Sequence, residues 1–292
     1  MPPKRRTIKI KGQTYHVNAV SALDRHSHRE EFRFKEPLFF MSAKLTPAGR
    51  VAAHTKGVKL KKEYGNYALA IYHSKAERAA ETAQYISEGH RGGKAPKWKG
   101  KVREIPIVKR DGTSTREKRT IMHRVNDPLR NRRESLWEEH PWNPKREGVP
   151  KARKEFLQFY RDWMDGKIPL EIAQSPAHFA DRIIRTRLGL ADTMYRRKGK
   201  QTYVLNVAHG ETVEPVLERL VGKTMEELKL KPAGGNEGLQ VFFAERGTGK
   251  RKQQRVVVQY GRRKWDVTER YNAIVKQRPT KAIRPIATTT PI

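Results

Sequence analysis

Tyr203-Val204-Leu205-Asn206-Val207-Ala208-His209-Gly210 is a short, almost wholly apolar run that stops at a histidine and a glycine. A run of this length without alternation fits a strand buried on both faces. The segment after it, with Val213, Val216, Leu217 and Leu220 at helical spacing, fits a helix laid over such a strand. Strand followed at once by helix is the repeating unit of an α/β sheet, and ligands of such sheets bind at the carboxyl ends of the strands. His209 stands at one of those ends.

Working outward, residues 7 to 24 alternate through Ile8, Ile10, Tyr15, Val17 and Ala19 around a turn at Lys11-Gly12, which predicts a hairpin whose second strand delivers Arg25-His26. Thr46-Pro47 has the form of a helix start, an N-cap hydroxyl followed by a proline whose missing N–H is harmless there, and the helix is expected to reach about Lys62. Tyr67 to His73 reads as a central strand, and Ser74-Lys75-Ala76-Glu77 after it as a capping box opening a helix with Arg78 one turn in. Helical patterns return over 151–165 and 176–197, the second placing Phe179, Ile183, Ile184 and Leu188 on one face. Leu239–Glu245 and Arg255–Tyr260 read as a closing antiparallel hairpin. The expected fold is a three-layer α/β/α sandwich with a mostly parallel central sheet, occupying residues 1–275, with a basic insertion or cap at about 91–153 and a Thr/Pro-rich disordered tail at 276–292.

Composition narrows the chemistry. The 292 residues contain no cysteine, which excludes disulfides, thiolate nucleophiles and sulfur-based zinc sites. No segment approaches the roughly 20 apolar residues of a membrane span, and the basic start at Met1 lacks the apolar stretch of a signal peptide, so the chain reads as cytoplasmic. A formal net charge of +32 attracts polyanions, whether phosphorylated metabolites or nucleic acid. The insertion alone holds 19 Lys/Arg against 8 Asp/Glu. Its Trp98, Trp137 and Trp142 read as anchors of a cap, with base stacking as the other reading.

Arg25-His26, Arg78 and His209 thus converge on one sheet edge. Arginine offers paired hydrogen bonds to phosphate oxygens, a helix N-terminus adds backbone donors, and a neutral imidazole is a competent nucleophile for phosphoryl transfer. His26 and His28 as two metal ligands is the weaker reading, because no further ligand follows at suitable spacing, and no metal or cofactor is expected.

Arg25-His26-Ser27, Leu45-Thr46-Pro47-Ala48-Gly49, Ser74-x-x-x-Arg78-Ala79-x-x-Thr82-Ala83 and Val207-Ala208-His209-Gly210, in this order, resemble the motifs of the histidine phosphatase superfamily, which also holds the cofactor-dependent phosphoglycerate mutases. The match runs over roughly residues 15 to 220. The resemblance implies a phosphate-monoester hydrolase in which His26 attacks phosphorus, Arg25 and Arg78 clamp the phosphoryl oxygens, His209 donates to them, and Leu45 and Thr82 are structural. It also implies a carboxylic acid that protonates the leaving oxygen. Glu134 is the first candidate, with Glu138, Glu139 and Glu211 behind it. Ser27 departs from the pattern, since glycine is usual at that position. A mutase on the same first step, or a nucleic-acid- or ribosome-associated protein using the fold for binding, are the alternatives.

Overall fold

The computed structural model describes residues 6–27, 44–73, 77–92, 153–170, 173–249 and 252–276, with side chains from 158 onward in the fourth segment, and the backbone of two short strands, β4 (Ile107–Val108) and β5 (Ser114–Thr115). The proposed insertion lies largely outside the described residues and the tail almost wholly so, as does the capping box at 74–76.

The chain begins with β1 (Thr7–Ile10) and β2 (Gln13–Arg25), joined by Lys11 and Gly12, both at positive φ. Two successive left-handed residues give the turn whose twist matches that of a hairpin. Helix α1 (Pro47–Tyr64) starts as expected, with the Gly49 amide donating to the Thr46 hydroxyl at 3.0 Å. Then come β3 (Ala68–His73), α2 (Glu77–Arg91) and, after the insertion, α3 (Arg153–Met164). The remaining elements are α4 (Pro176–Ile183), α5 (Leu190–Lys198), β6 (Thr202–Ala208), α6 (Gly210–Val221), β7 (Gly238–Arg246), β8 (Gln253–Tyr260), β9 (Arg263–Asp266) and α7 (Thr268–Lys276).

A seven-stranded sheet runs in the order β3-β6-β2-β7-β8-β9, with β1 paired to the first part of β2. The α/β/α layering is as expected, but parallel pairing is confined to β3-β6-β2. Strands β1, β7, β8 and β9 pair antiparallel; β1-β2, β7-β8 and β8-β9 are joined by short connections that leave no room for a crossover helix, whereas β7 is entered from α6 and still runs against β2. The strand read as central at 67–73 is an edge strand. Among the described residues its only partner strand is β6, and two of its six residues are buried, whereas all seven of β6 are.

Two apolar cores lie on the two faces of the sheet. One gathers Val20, Ala22, Tyr203, Leu205 and Val207 under α1 and α2, and the other gathers Ala19, Leu23, Val204 and Val241 under α3 to α7. Val17 and Ala19 would share a face in a regular strand, yet they face opposite cores. Asn18 is an extra residue there, since Val17 pairs with Ala244 and Ala19 with the adjacent Phe243, and such a bulge flips the side-chain register. The helix expected over 176–197 is interrupted at Ile184–Leu188, where the Gly189 amide reaches the Ile184 carbonyl at 3.3 Å, a π-type turn. Even so, Phe179, Ile183, Ile184 and Leu188 all enter the same core. Strand β9 and helix α7 extend the fold beyond the predicted hairpin.

Candidate active site

Strands β2 and β6 are parallel neighbours with Arg25 opposite Ala208, so they end at the same level. The His26 amide continues the ladder by donating to the Ala208 carbonyl at 3.0 Å, and His209 follows directly on β6. The two imidazoles meet edge to face with centroids 5.4 Å apart. Arg78 comes from the first turn of α2, which follows β3 on the far side of β6. Its Nε donates to His26 Nε2 at 2.9 Å, and its terminal nitrogen lies 3.3 Å from His209 Nδ1. All three side chains are buried.

A guanidinium can only donate. The nitrogen of His26 that faces Arg78 is therefore a lone pair, and the proton sits on Nδ1, which donates to the Ser27 carbonyl at 2.8 Å. By the same reasoning His209 accepts at Nδ1 and holds its proton on Nε2. One ring thus presents a nucleophilic nitrogen and the other a donor, which is the pairing that phosphoryl transfer to nitrogen needs.

The electrostatics favour an anion. Burial pushes the Arg78 guanidinium down to about 10, with Glu211 acting to raise it and Arg25 to lower it further. Arg25 lies against the first residue of α6, where a side chain added at Gly210 would stand 3.5 Å from its Cδ, and its terminal nitrogen donates to the Ala233 carbonyl at 2.9 Å. The N-terminus of α6 itself, with His209 as N-cap, carries a partial positive charge.

No family model and no curated protein matches the chain. Solved structures do. A structure described as mycobacterial hydrolase 1 is 16% identical at a TM-score of 0.42, covering 84% of this chain and 100% of its own. Mycobacterial glucosyl-3-phosphoglycerate phosphatase is 15% identical at 0.41, with the same coverages of 84% and 100%. YhfR of Bacillus stearothermophilus is 18% identical at 0.37, covering 80% and 94%. At these identities and TM-scores the likeness carries no argument about activity, which rests on this chain's own residues.

Of the residues expected from the histidine phosphatase motifs, the structure brings His26, Arg78 and His209 into contact and sets Arg25 beside them. Thr82 accepts from the Ser27 amide at 3.0 Å and donates to the Arg78 carbonyl at 2.7 Å, which ties the strand end to the arginine's helix. Leu45 is held by its amide on Glu81 Oε2 at 2.6 Å, and Glu81 also pairs with Arg50. Glu134, Glu138, Glu139 and His28 lie outside the described residues. Glu211 stands in the first turn of α6, where its charge also complements the helix dipole. Among the described residues no group of three or more His, Asp or Glu is arranged to hold a metal. Likewise, no described helix is long and apolar enough to cross a membrane.

Two features escaped the sequence reading. Glu214, one turn beyond Glu211, is buried and accepts from the Tyr160 hydroxyl at 2.6 Å. Burial raises its carboxyl, with that hydrogen bond opposing. The second is the loop before β7. Its Gly-Gly-Asn-Glu-Gly run at 234–238 signals a turn, but nothing local says that the turn folds back onto Arg25.

Proposed function

We propose that the chain is a phosphate-monoester hydrolase that works through a phosphohistidine at His26 and needs no metal. The observation that carries this reading is the bridge from Arg78 to both imidazoles, which fixes complementary tautomers at one sheet edge. In the first step the phosphoryl oxygens take over the Arg78 donors, which frees the lone pair of His26 Nε2; that nitrogen attacks phosphorus, the N–P bond forms and the bond to the leaving oxygen breaks. Arg78, Arg25 and the Nε2–H of His209 stabilise charge on the transferring oxygens. A carboxylic acid gives its proton to the departing oxygen, Glu134 being preferred on sequence and Glu211 being the candidate within the described residues. Water then attacks phosphorus, the N–P bond breaks, the same carboxylate takes the water's proton, and inorganic phosphate leaves. The net charge of +32 favours a substrate carrying several negative charges.

The test is hydrolysis of an aryl phosphate in the presence of a metal chelator. We expect turnover, an acid-labile phosphoenzyme, and loss of at least about a thousandfold in rate in His26→Ala with an unchanged melting temperature, because the nucleophile is a required partner. Full activity in that variant overturns the assignment. An isomeric phosphate ester in place of free phosphate would make the protein a mutase.

A further inference from the structure

Ser27, directly after the proposed nucleophile, is buried, and each of its polar groups has a partner. Its amide donates to Thr82, its carbonyl accepts from His26 Nδ1, its hydroxyl donates to the Gly49 carbonyl at 2.7 Å, and the same oxygen accepts from Asn236 Nδ2 at 2.7 Å. Asn236 lies in the loop before β7 with φ of 62°, the left-handed region that asparagine tolerates better than most residues. Its amide donates to the Arg25 carbonyl at 3.1 Å, and its own carbonyl accepts from Lys56 Nζ at 2.6 Å. Lys56 in turn lies 2.6 Å from the buried carboxylate of Asp24. The neighbours of Asn236 complete the grip, with the Glu237 carbonyl accepting the Arg25 amide at 2.8 Å and Ala233 accepting its guanidinium.

From this arrangement we infer that Asn236, with Ser27 as its partner, is a positioning residue for the reaction. The loop at 233–237 takes hold of the main chain of Arg25, the side chain of Arg25 and the hydroxyl of Ser27, and it bridges through Lys56 to Asp24. Three residues flanking His26, namely Asp24, Arg25 and Ser27, are thereby held by this loop and Lys56. The His26 ring is oriented by the Ser27 carbonyl, so the peptide that bears this carbonyl must not rotate. The Ser27 hydroxyl, held between Gly49 and Asn236, and its amide, held on Thr82, fix the Cα from which that carbonyl projects and so narrow the positions it can take. Where glycine would leave the turn free to rock, serine and asparagine lock it. Asn236 touches no reacting atom and acts through Ser27.

The inference rests on the phosphatase reading for its kinetic consequence but not for its spectroscopic one. Asn236→Gly keeps the left-handed backbone at no strain and removes only the amide side chain. Ser27→Ala removes its partner. Each single variant is expected to lower kcat on the order of tenfold, the loss of about one hydrogen bond's worth of orientation, with KM within about twofold and melting temperature little changed. The double variant should lose no more than the single ones, since the two residues act as one unit. In parallel, the His26 Nδ1 proton, held on the Ser27 carbonyl while Arg78 keeps the tautomer, should exchange with water about tenfold faster by NMR in either variant. Additive losses in kcat, or an unchanged exchange rate, overturn the inference. If the wild type proves inactive on phosphate esters while exchange still quickens in both variants, the phosphatase reading fails and the positioning role stands.

Discussion

Arg78 matters for what it cannot do. Because it has no lone pair, it sets the tautomer of each histidine it touches, and a lysine there would be one rotatable point charge without the fork that reaches both rings. Glu214 shows the opposite case, a group whose charge is disfavoured where it sits. Burial raises its carboxyl above the ordinary 4.5, opposed by the Tyr160 hydrogen bond, so the folded chain holds that proton more tightly than the unfolded one. Stability from this site is therefore greatest below the unfolded value and falls as pH rises from about 4.5 through the higher folded one. Glu214→Gln keeps an acceptor for Tyr160 and removes the charge. We expect it to melt higher than the wild type at pH 8, by about 2–4 °C for each kcal/mol relieved, and the difference to vanish below pH of about 4.5. Thermal melts across that range decide it, and a lower melting temperature at pH 8 would mean that Arg25 more than compensates the buried carboxylate.

At the level of elements, α1 and α2 carry the groups that surround Ser27 and must therefore cross at a fixed distance. That distance is set by Gly57 and Gly89: a β-carbon at Gly57 would run into the Ile86 carbonyl, and one at Gly89 into the His54 carbonyl. Gly57→Ala forces backbone apart from backbone, so we expect a loss of about 1–3 kcal/mol, read as a lower urea midpoint at unchanged slope. A midpoint equal to the wild type's would mean that the helices separate freely. The sequence announced α1, β2, β6 and α6 because a capping hydroxyl, a turn at Lys11-Gly12 and an almost wholly apolar run are local signals. It placed His26 and His209 at strand ends for the same reason. Periodicity says nothing about which strand lies at an edge, and so the apolar run of β3 reads as central although β3 ends the described strand order. The π-type turn at 184–188 preserves the apolar face and leaves no mark on the pattern. Asn236 was invisible since its role is defined by Arg25 and Ser27, more than 200 residues away.

Over the whole molecule, charge is the property in greatest excess: 63 Lys/Arg against 31 Asp/Glu on one chain of 292 residues. A field of that sign raises the encounter rate of anions in proportion to their charge, and salt screens it over a Debye length of about 10 Å at 0.1 M. In the proposed phosphatase the chemical step takes place at His26 and Arg78, both buried, and is shielded from that screening. The two parts of the rate should then separate. Raising ionic strength from about 0.02 to 0.5 M is expected to lower kcat/KM for a substrate with several phosphates by on the order of tenfold or more, to lower it less for a simple aryl phosphate, and to leave kcat within about twofold for both. If the two substrates show the same slope, the basic surface does not recruit substrate, and the charge must then serve a polyanion that is bound without being hydrolysed, a role that a salt-dependent affinity for mixed RNA would reveal.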